Sequence, residues 1–150
     1  MAKRNANSNY NTNLASEYMM MSMLHRCGFE AYLSLGNKKG VDIIVKTKKG
    51  AICIVEVKGV NKKDDYIIGN KGVFDFADNL FYALICFNGE ISNLETTPHF
   101  WLIPSKELAK EHHHKIAGNG KTVFVSNKKI REEFGRYKNL EYLSTYLESN

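Results

Sequence analysis

The chain has 150 residues and a formal net charge of +5, with 43% hydrophobic and 25% charged residues, enough for one ordinary domain whose core needs no covalent staple. Its three cysteines, Cys27, Cys53 and Cys86, are odd in number, far apart and without a CxxC pair, which argues against a zinc site and for buried free thiols in a reducing compartment. No apolar run approaches the roughly 20 residues that cross a bilayer, and "MAKRNANSNYNTN" has no signal-peptide core, so a cytoplasmic location with no membrane partner is expected.

Residues 1–11 are polar and Asn-rich, and are expected to form a flexible arm ahead of a single α/β domain spanning 12–150. A helix is predicted from Thr12 to Cys27, with Leu14, Tyr18, Met21 and His25 at helical spacing and Gly28 as its stop. "FEAYLSL", Phe29 to Leu35, alternates as a strand, and "GNKKG" after it is a loop. Two more strands follow in "GVDIIVKTKKGAICIVEVKG", Gly40 to Gly59. Val60 to Asn79 carries no clear period, and a short helix is expected near Phe74 to Asn79. "LFYALICF" (80–87) and "HFWLIP" (99–104) read as strands, and "SKELAKEHHH" as a helix capped by Ser105. "TVFVS" is a short last strand. "NKKIREEFGRYKNLEYLSTYLE" makes one or two helices broken near Gly135 to Asn139.

Charge is uneven along this order. Residues 1–71 hold 12 Lys/Arg against 6 Asp/Glu, and nine of the 12 are lysines between Lys38 and Lys71. A basic field of this kind attracts nucleic acid, with Lys38, Lys39, Lys62, Lys63 and Lys71 as contacts; the same composition also fits a solvated lysine-rich surface. Tyr66, Phe74 and Phe76 follow the lysines and either stack on unpaired bases or pack beneath the loop.

The strands of Gly40 to Gly59 contain three residues that packing alone would not choose. A three-residue loop, Lys48-Lys49-Gly50, with glycine in the left-handed position, pairs residues whose numbers sum to 98. One face is then all apolar: Val41, Ile43, Val45, Cys53, Val55 and Val57. The other brings Asp42 opposite Glu56, with Lys58 two residues beyond on the same side. Opposed carboxylates, with Cβ atoms about 4.5–5.5 Å apart, repel unless a cation or a raised pKa relieves them. A two-residue loop would instead send the two acids to opposite faces, and the three could then be plain surface charges of an unrelated α/β interaction domain. Glu17 falls within the stripe of Leu14, Met21 and Leu24, an odd position for an acid that could also be a core-edge residue.

Asp42, a hairpin's length, then Glu56-Val57-Lys58 resembles the D…ExK signature of the PD-(D/E)XK, or restriction-endonuclease-like, superfamily. "GVDIIV…IVEVKG" is similar in particular to archaeal-type Holliday junction resolvases and small uncharacterised bacterial relatives. The resemblance covers Thr12 to Gly59, about a third of the chain. Val41 stands where the name-giving proline would be, and the helix expected between the third and fourth core strands is barely visible. What the resemblance implies is a central mixed β-sheet flanked by helices, an N-terminal helix followed by three strands, and metal-dependent hydrolysis of phosphodiester bonds, in DNA that is branched or otherwise structured. Asp42, Glu56 and the Val57 carbonyl would ligate Mg²⁺ or Mn²⁺, Glu17 would support a ligand or a second metal, and Lys58 would position water. Cutters of branched DNA of this kind commonly work as homodimers. The alternative is a non-catalytic nucleic-acid-binding or assembly module of the same fold. "HHH", His112 to His114, does not converge on one ion at helical spacing, and "GNKG" and "GNGK" read as turns.

Overall fold

The hairpin register sets the architecture. The computed structural model describes residues 6–35, 41–70 and 77–149. Within it β2 (Ile43–Lys46) pairs antiparallel with β3 (Ile52–Val60) as Ile43 with Val55, Ile44 with Ile54, Val45 with Cys53 and Lys46 with Ile52. Every pair sums to 98, as the three-residue loop requires. Gly50 closes that loop at φ +86°, its N–H donating to the Thr47 carbonyl at 2.9 Å, a backbone conformation that side chains rarely adopt.

β1 (Glu30–Leu33) adds antiparallel to β2, β5 (Leu80–Cys86) runs parallel to β3, and β6 (His99–Pro104) returns antiparallel beside β5. The result is a mixed five-stranded sheet in the order β1-β2-β3-β5-β6. A second sheet, β4 (Tyr66–Asn70), β8 (Thr122–Val125) and β7 (Lys115–Ile116) in that order, belongs to the other side of the core. Helix α1 (Ala6–Arg26) precedes the strands, α2 (Ser105–Leu108) follows β6, and α3 (Asn127–Glu133), a 3₁₀ turn at Gly135–Tyr137 and α4 (Glu141–Ser149) end the chain. The chain is therefore an α/β fold with a mixed central sheet, helices around it, and an N-terminal helix followed by three strands.

Two apolar cores sandwich the sheet. Ile43, Val45, Cys53, Val55, Val57, Phe81, Ala83 and Ile85 face Met20 and Leu24 of α1 and Leu143 of α4. Tyr82, Leu84, Trp101 and Ile103 face Tyr66, Val125, Ile130 and Phe134 on the opposite side. β5 is buried along its whole length because both of its faces are covered, which is why its sequence is one continuous apolar run.

The buried stripe of α1 is Thr12, Ser16, Met20 and Leu24, not the stripe through Leu14, Tyr18 and Met21 that hydrophobicity suggests; Tyr18 is exposed. Size explains the choice. A Cβ built on Gly59 of β3 would lie 1.9 Å from Ser16 Oγ and 3.2 Å from the Thr12 carbonyl oxygen, so small residues on both elements let helix and strand touch.

Other expectations change. Residues 6–11, assigned to the arm, form the first turns of α1, and Thr12 is interior to the helix, its hydroxyl donating to the Ser8 carbonyl at 2.8 Å. Polar residues facing solvent carry no hydrophobic period, so those turns were invisible. The helix begun by Ser105 stops at Leu108, because the His113 and His114 rings bond through Nδ1 to the carbonyls of Glu107 (2.7 Å) and Leu108 (2.9 Å). Ser105 does not cap it; its hydroxyl exchanges hydrogen bonds with the Ala77 backbone. β4 arises in the stretch without period, where a register shift between Ile67 and Gly69 breaks the alternation. Of the helix expected near Phe74 to Asn79, residues 74–76 lie outside the described residues, and Asp78 and Asn79 form a turn. "GNGK" turns between β7 and β8 as expected.

Cys53 and Cys86 are buried free thiols, but Cys27, just beyond α1, is exposed. Burial pushes the Cys53 thiol up to about 11, so it stays protonated and unreactive at neutral pH. A colorimetric thiol titration should count one fast-reacting cysteine in the native protein and three after denaturation. Two fast thiols would contradict this packing. No helix among the described residues is long and apolar enough to cross a membrane.

Candidate active site

β2 ends where its chemistry begins. Thr47 and Ala51 are a hydrogen-bonded pair, so in a regular ladder the Val57 N–H would donate to the Val41 carbonyl, whose number completes the sum of 98. It donates instead to Asp42 Oδ2 at 2.7 Å. The carboxylate thus takes the place of a backbone acceptor, and the Asp42 N–H reaches the Val55 carbonyl at 3.3 Å. A charge-assisted bond from a buried N–H holds Asp42 on the β3 backbone and leaves Oδ1 without a hydrogen bond among the described residues.

The paired register ends at Ile43–Val55, and Asp42, one step beyond, departs from it and bonds the β3 backbone on either side of Glu56. Glu56 and Lys58 share the face that carries Ile54, and Lys58 Nζ lies 2.6 Å from Glu56 Oε1. Both side chains are well shielded, Glu56 at 12% and Lys58 at 29% exposure, so their attraction is screened less than a surface pair's. One hairpin thus carries Asp42, bonded to the β3 backbone, and the Lys58–Glu56 pair.

Neither a family model nor a curated protein matches the sequence. Among solved structures, a bacterial homing endonuclease is similar over 92% of this chain and 90% of its own, with a TM-score of 0.54 and 15% identity. The two chains share a fold.

Glu17 stands on α1 beside the buried Ser16 and next to this cluster. Its pKa lies above the usual carboxylate value, first because burial disfavours the charge, then because Asp42 repels it, with Lys58 acting in the opposite sense. The acid whose ionisation the cluster opposes is Glu17. Among the described residues no group of three or more His, Cys, Asp or Glu is placed to hold one metal ion, so Glu17 does not join Asp42 and Glu56 in a single ligand shell. A hard cation accepts a smaller protein contribution, since Mg²⁺ keeps several waters and takes one or two carboxylates. Asp42 Oδ1, Glu56 and the neighbouring Val57 carbonyl are a donor set of that kind.

The raised pKa has a consequence for stability. The folded state holds the Glu17 proton more tightly than the unfolded chain, so stability falls as pH rises from the unfolded pKa through the folded one. Glu17→Gln should therefore raise the urea midpoint at pH 7 and make no difference near pH 3, where both states are protonated. A lower midpoint at pH 7 would mean that the carboxylate is held by attraction instead.

An open groove of about 560 Å³ is lined by Lys58, Gly59, Asn61 and Lys62, by Asp64, Asp65 and Ile67 beyond them, and by Ser8, Asn9, Thr12 and Asn13 of α1. None of these helix residues was singled out from the sequence: Ser8 and Asn9 fall in the expected arm, and Thr12 and Asn13 at the expected start of the helix. Lys62 and Lys63 are exposed, as a polyanion contact requires, whereas Lys38, Lys39 and Lys71 lie outside the described residues. Tyr66 is fully buried in the second core, which removes it as a stacking surface; Phe74 and Phe76 are not among the described residues.

Proposed function

We propose that the protein is a metal-dependent endonuclease of PD-(D/E)XK type that hydrolyses phosphodiester bonds in DNA. The observation that carries this reading is the fastening of Asp42 to the Val57 N–H, between Glu56 and Lys58, which pair with each other on the same strand. The fold shared with a bacterial homing endonuclease supports it.

Asp42 Oδ1, Glu56 and the Val57 carbonyl would hold Mg²⁺ or Mn²⁺. When bound, the ion polarises the phosphoryl group and lowers the pKa of its water. Lys58, beside Glu56, orients the attacking water and stabilises the charge that develops on the phosphoryl oxygens. Glu17 makes the region more negative and so favours cation binding. The groove beside Lys58 would receive the DNA strand between the small and amide side chains of α1 and a wall that carries Lys62 together with Asp64 and Asp65. Glu56, now paired with Lys58, would have to exchange that pair for the metal, leaving Lys58 to face the phosphate.

The direct Lys58–Glu56 pair favours a second reading, a binding module in which the two charges satisfy each other. Incubating the protein with supercoiled, linear, branched and single-stranded DNA in Mg²⁺, Mn²⁺ or EDTA separates the two. Cleavage that EDTA stops supports the nuclease. Binding that weakens steeply with salt, with no substrate cut under any metal, supports the module.

A further inference from the structure

The carboxyl ends of β3 and β5 and the amino end of β6 lie at one edge of the central sheet. Basic residues from four parts of the chain are brought there. Lys62 and Lys63 follow β3, and the Lys62 carbonyl accepts from Cys86 Sγ at 3.3 Å. His99 is the cross-strand partner of Cys86. Arg131 reaches in from α3, bonding Asn127 Oδ1 at 2.7 Å and Cys86 Sγ at 3.1 Å, bonding Asn88 Oδ1, and lying 5.7 Å from the centre of the Trp101 ring. Lys138 is placed by its neighbour Asn139, whose N–H donates to the Phe100 carbonyl at 3.1 Å.

The contacts of Arg131 are neutral, so they orient the guanidinium without cancelling its charge. The acids next to Lys63 are Asp64 and Asp65, and Asp65 Oδ1 is engaged by the Asn127 N–H at 3.0 Å. That the bases converge is visible at His99, whose pKa is lowered first by burial and then by Lys138, Arg131 and Lys63. A concentration of positive charge of this kind attracts an anion.

We propose that Lys62, Lys63, His99, Arg131 and Lys138 form a second backbone-binding patch, which grips phosphates of a bound nucleic acid away from the bond that is cut. Position argues for the phosphodiester backbone as the occupant. The groove that holds Lys58 also holds Lys62, with Asp64 and Asp65 further along its lining, so the patch adjoins the groove at Lys62. His99 and Lys58 lie on the same face of the sheet, two strands and two residues apart, which is on the order of 12 Å, or three to four base-pair rises. The role of the anchor rests on the nuclease reading; the binding itself does not.

The test is fluorescence anisotropy in EDTA, with a labelled duplex of about 20 base pairs and a series of salt concentrations. Lys63→Ala/Lys138→Ala removes two exposed charges and should lower the slope of log K against log salt by nearly 2, weakening binding at least about tenfold near 0.1 M salt. Lys115→Ala/Lys121→Ala, an equal loss of charge on the β7–β8 hairpin, should leave the slope within error. Equal slopes for the two doubles would overturn the proposal. An NMR titration adds a local readout: the His99 ring, assigned with His99→Gln, should rise in pKa when DNA is added, and no change would count against the patch. Binding to phosphatidylserine vesicles that needs Lys63 and Lys138, with DNA affinity unaffected, would assign these lysines to a membrane and also overturn it. Cleavage with an unaltered slope sinks the patch alone. A lost slope in a protein that cuts nothing sinks the nuclease reading and leaves the patch standing.

Discussion

Asp42→Asn should abolish metal-dependent cleavage of plasmid DNA, lowering the rate by about 10²-fold or more while the protein stays folded. Asparagine keeps the size of the side chain and an oxygen that can accept from the Val57 N–H, so the link between β2 and β3 survives. What disappears is the charge that a hard cation needs. Asp42→Ala should be worse in a second way, because it strands the N–H of a residue that is only 6% exposed. An unsatisfied buried donor costs about 1–3 kcal/mol, so the alanine variant should also lose stability in urea while the asparagine variant keeps it. Lys58→Met should match Asp42→Asn in the rate assay. An Asp42→Asn protein that cuts as fast as wild type would sink the site.

Gly59→Ala is the change expected to damage the fold most from a single methyl group. Its Cβ would fall 1.9 Å from Ser16 Oγ and 2.8 Å from Ser16 Cβ. Ser16 is completely buried and its hydroxyl donates to the Thr12 carbonyl at 2.7 Å, so it has no free rotamer to escape into. Either α1 lifts from β3 or the strand shifts, at a cost of about 1–3 kcal/mol or more. Removing both offending atoms by Ser16→Gly in the same chain should recover part of the loss, less about 1 kcal/mol for a glycine inside a helix. The readout is the denaturant midpoint of the two single variants and the double. A double variant no more stable than Gly59→Ala would mean that the clash is not with Ser16.

Both predictions concern neighbours on β3, yet the two differ in how visible they were. The hairpin register and the shared face of Glu56 and Lys58 could be read before any coordinates, because a glycine-closed three-residue loop admits one register and strand side chains alternate strictly, whereas the departure of Asp42 from the ladder could not. The five central strands were legible for the same reason, their apolar residues following either alternation or an unbroken run. Gly59 gave no such sign. Its meaning depends on Ser16 and Thr12, which are distant in sequence and carry no hydrophobic signal at all.

The misread elements share that cause. The first turns of α1 and the short strands β4 and β7 are built from polar or interrupted sequence, and they form because tertiary partners take up their backbone groups. α2 stops early because two histidine rings bond its last carbonyls, a competition that helical spacing does not reveal.

Local geometry, then, was determined by sequence alone: the hairpin, the register of its paired residues, and the apolar strands around it. Tertiary structure decided everything that depends on approach across the chain. It chose the stripe of α1 that is buried by side-chain size, set Glu17 beside Asp42 and Lys58, and drew His99, Arg131 and Lys138 to the lysines after β3. Backbone periodicity is a property of neighbouring residues and can be read from them. Electrostatic fields and close packing are properties of distances in space, and residues far apart in sequence acquire those only when the sheet is assembled.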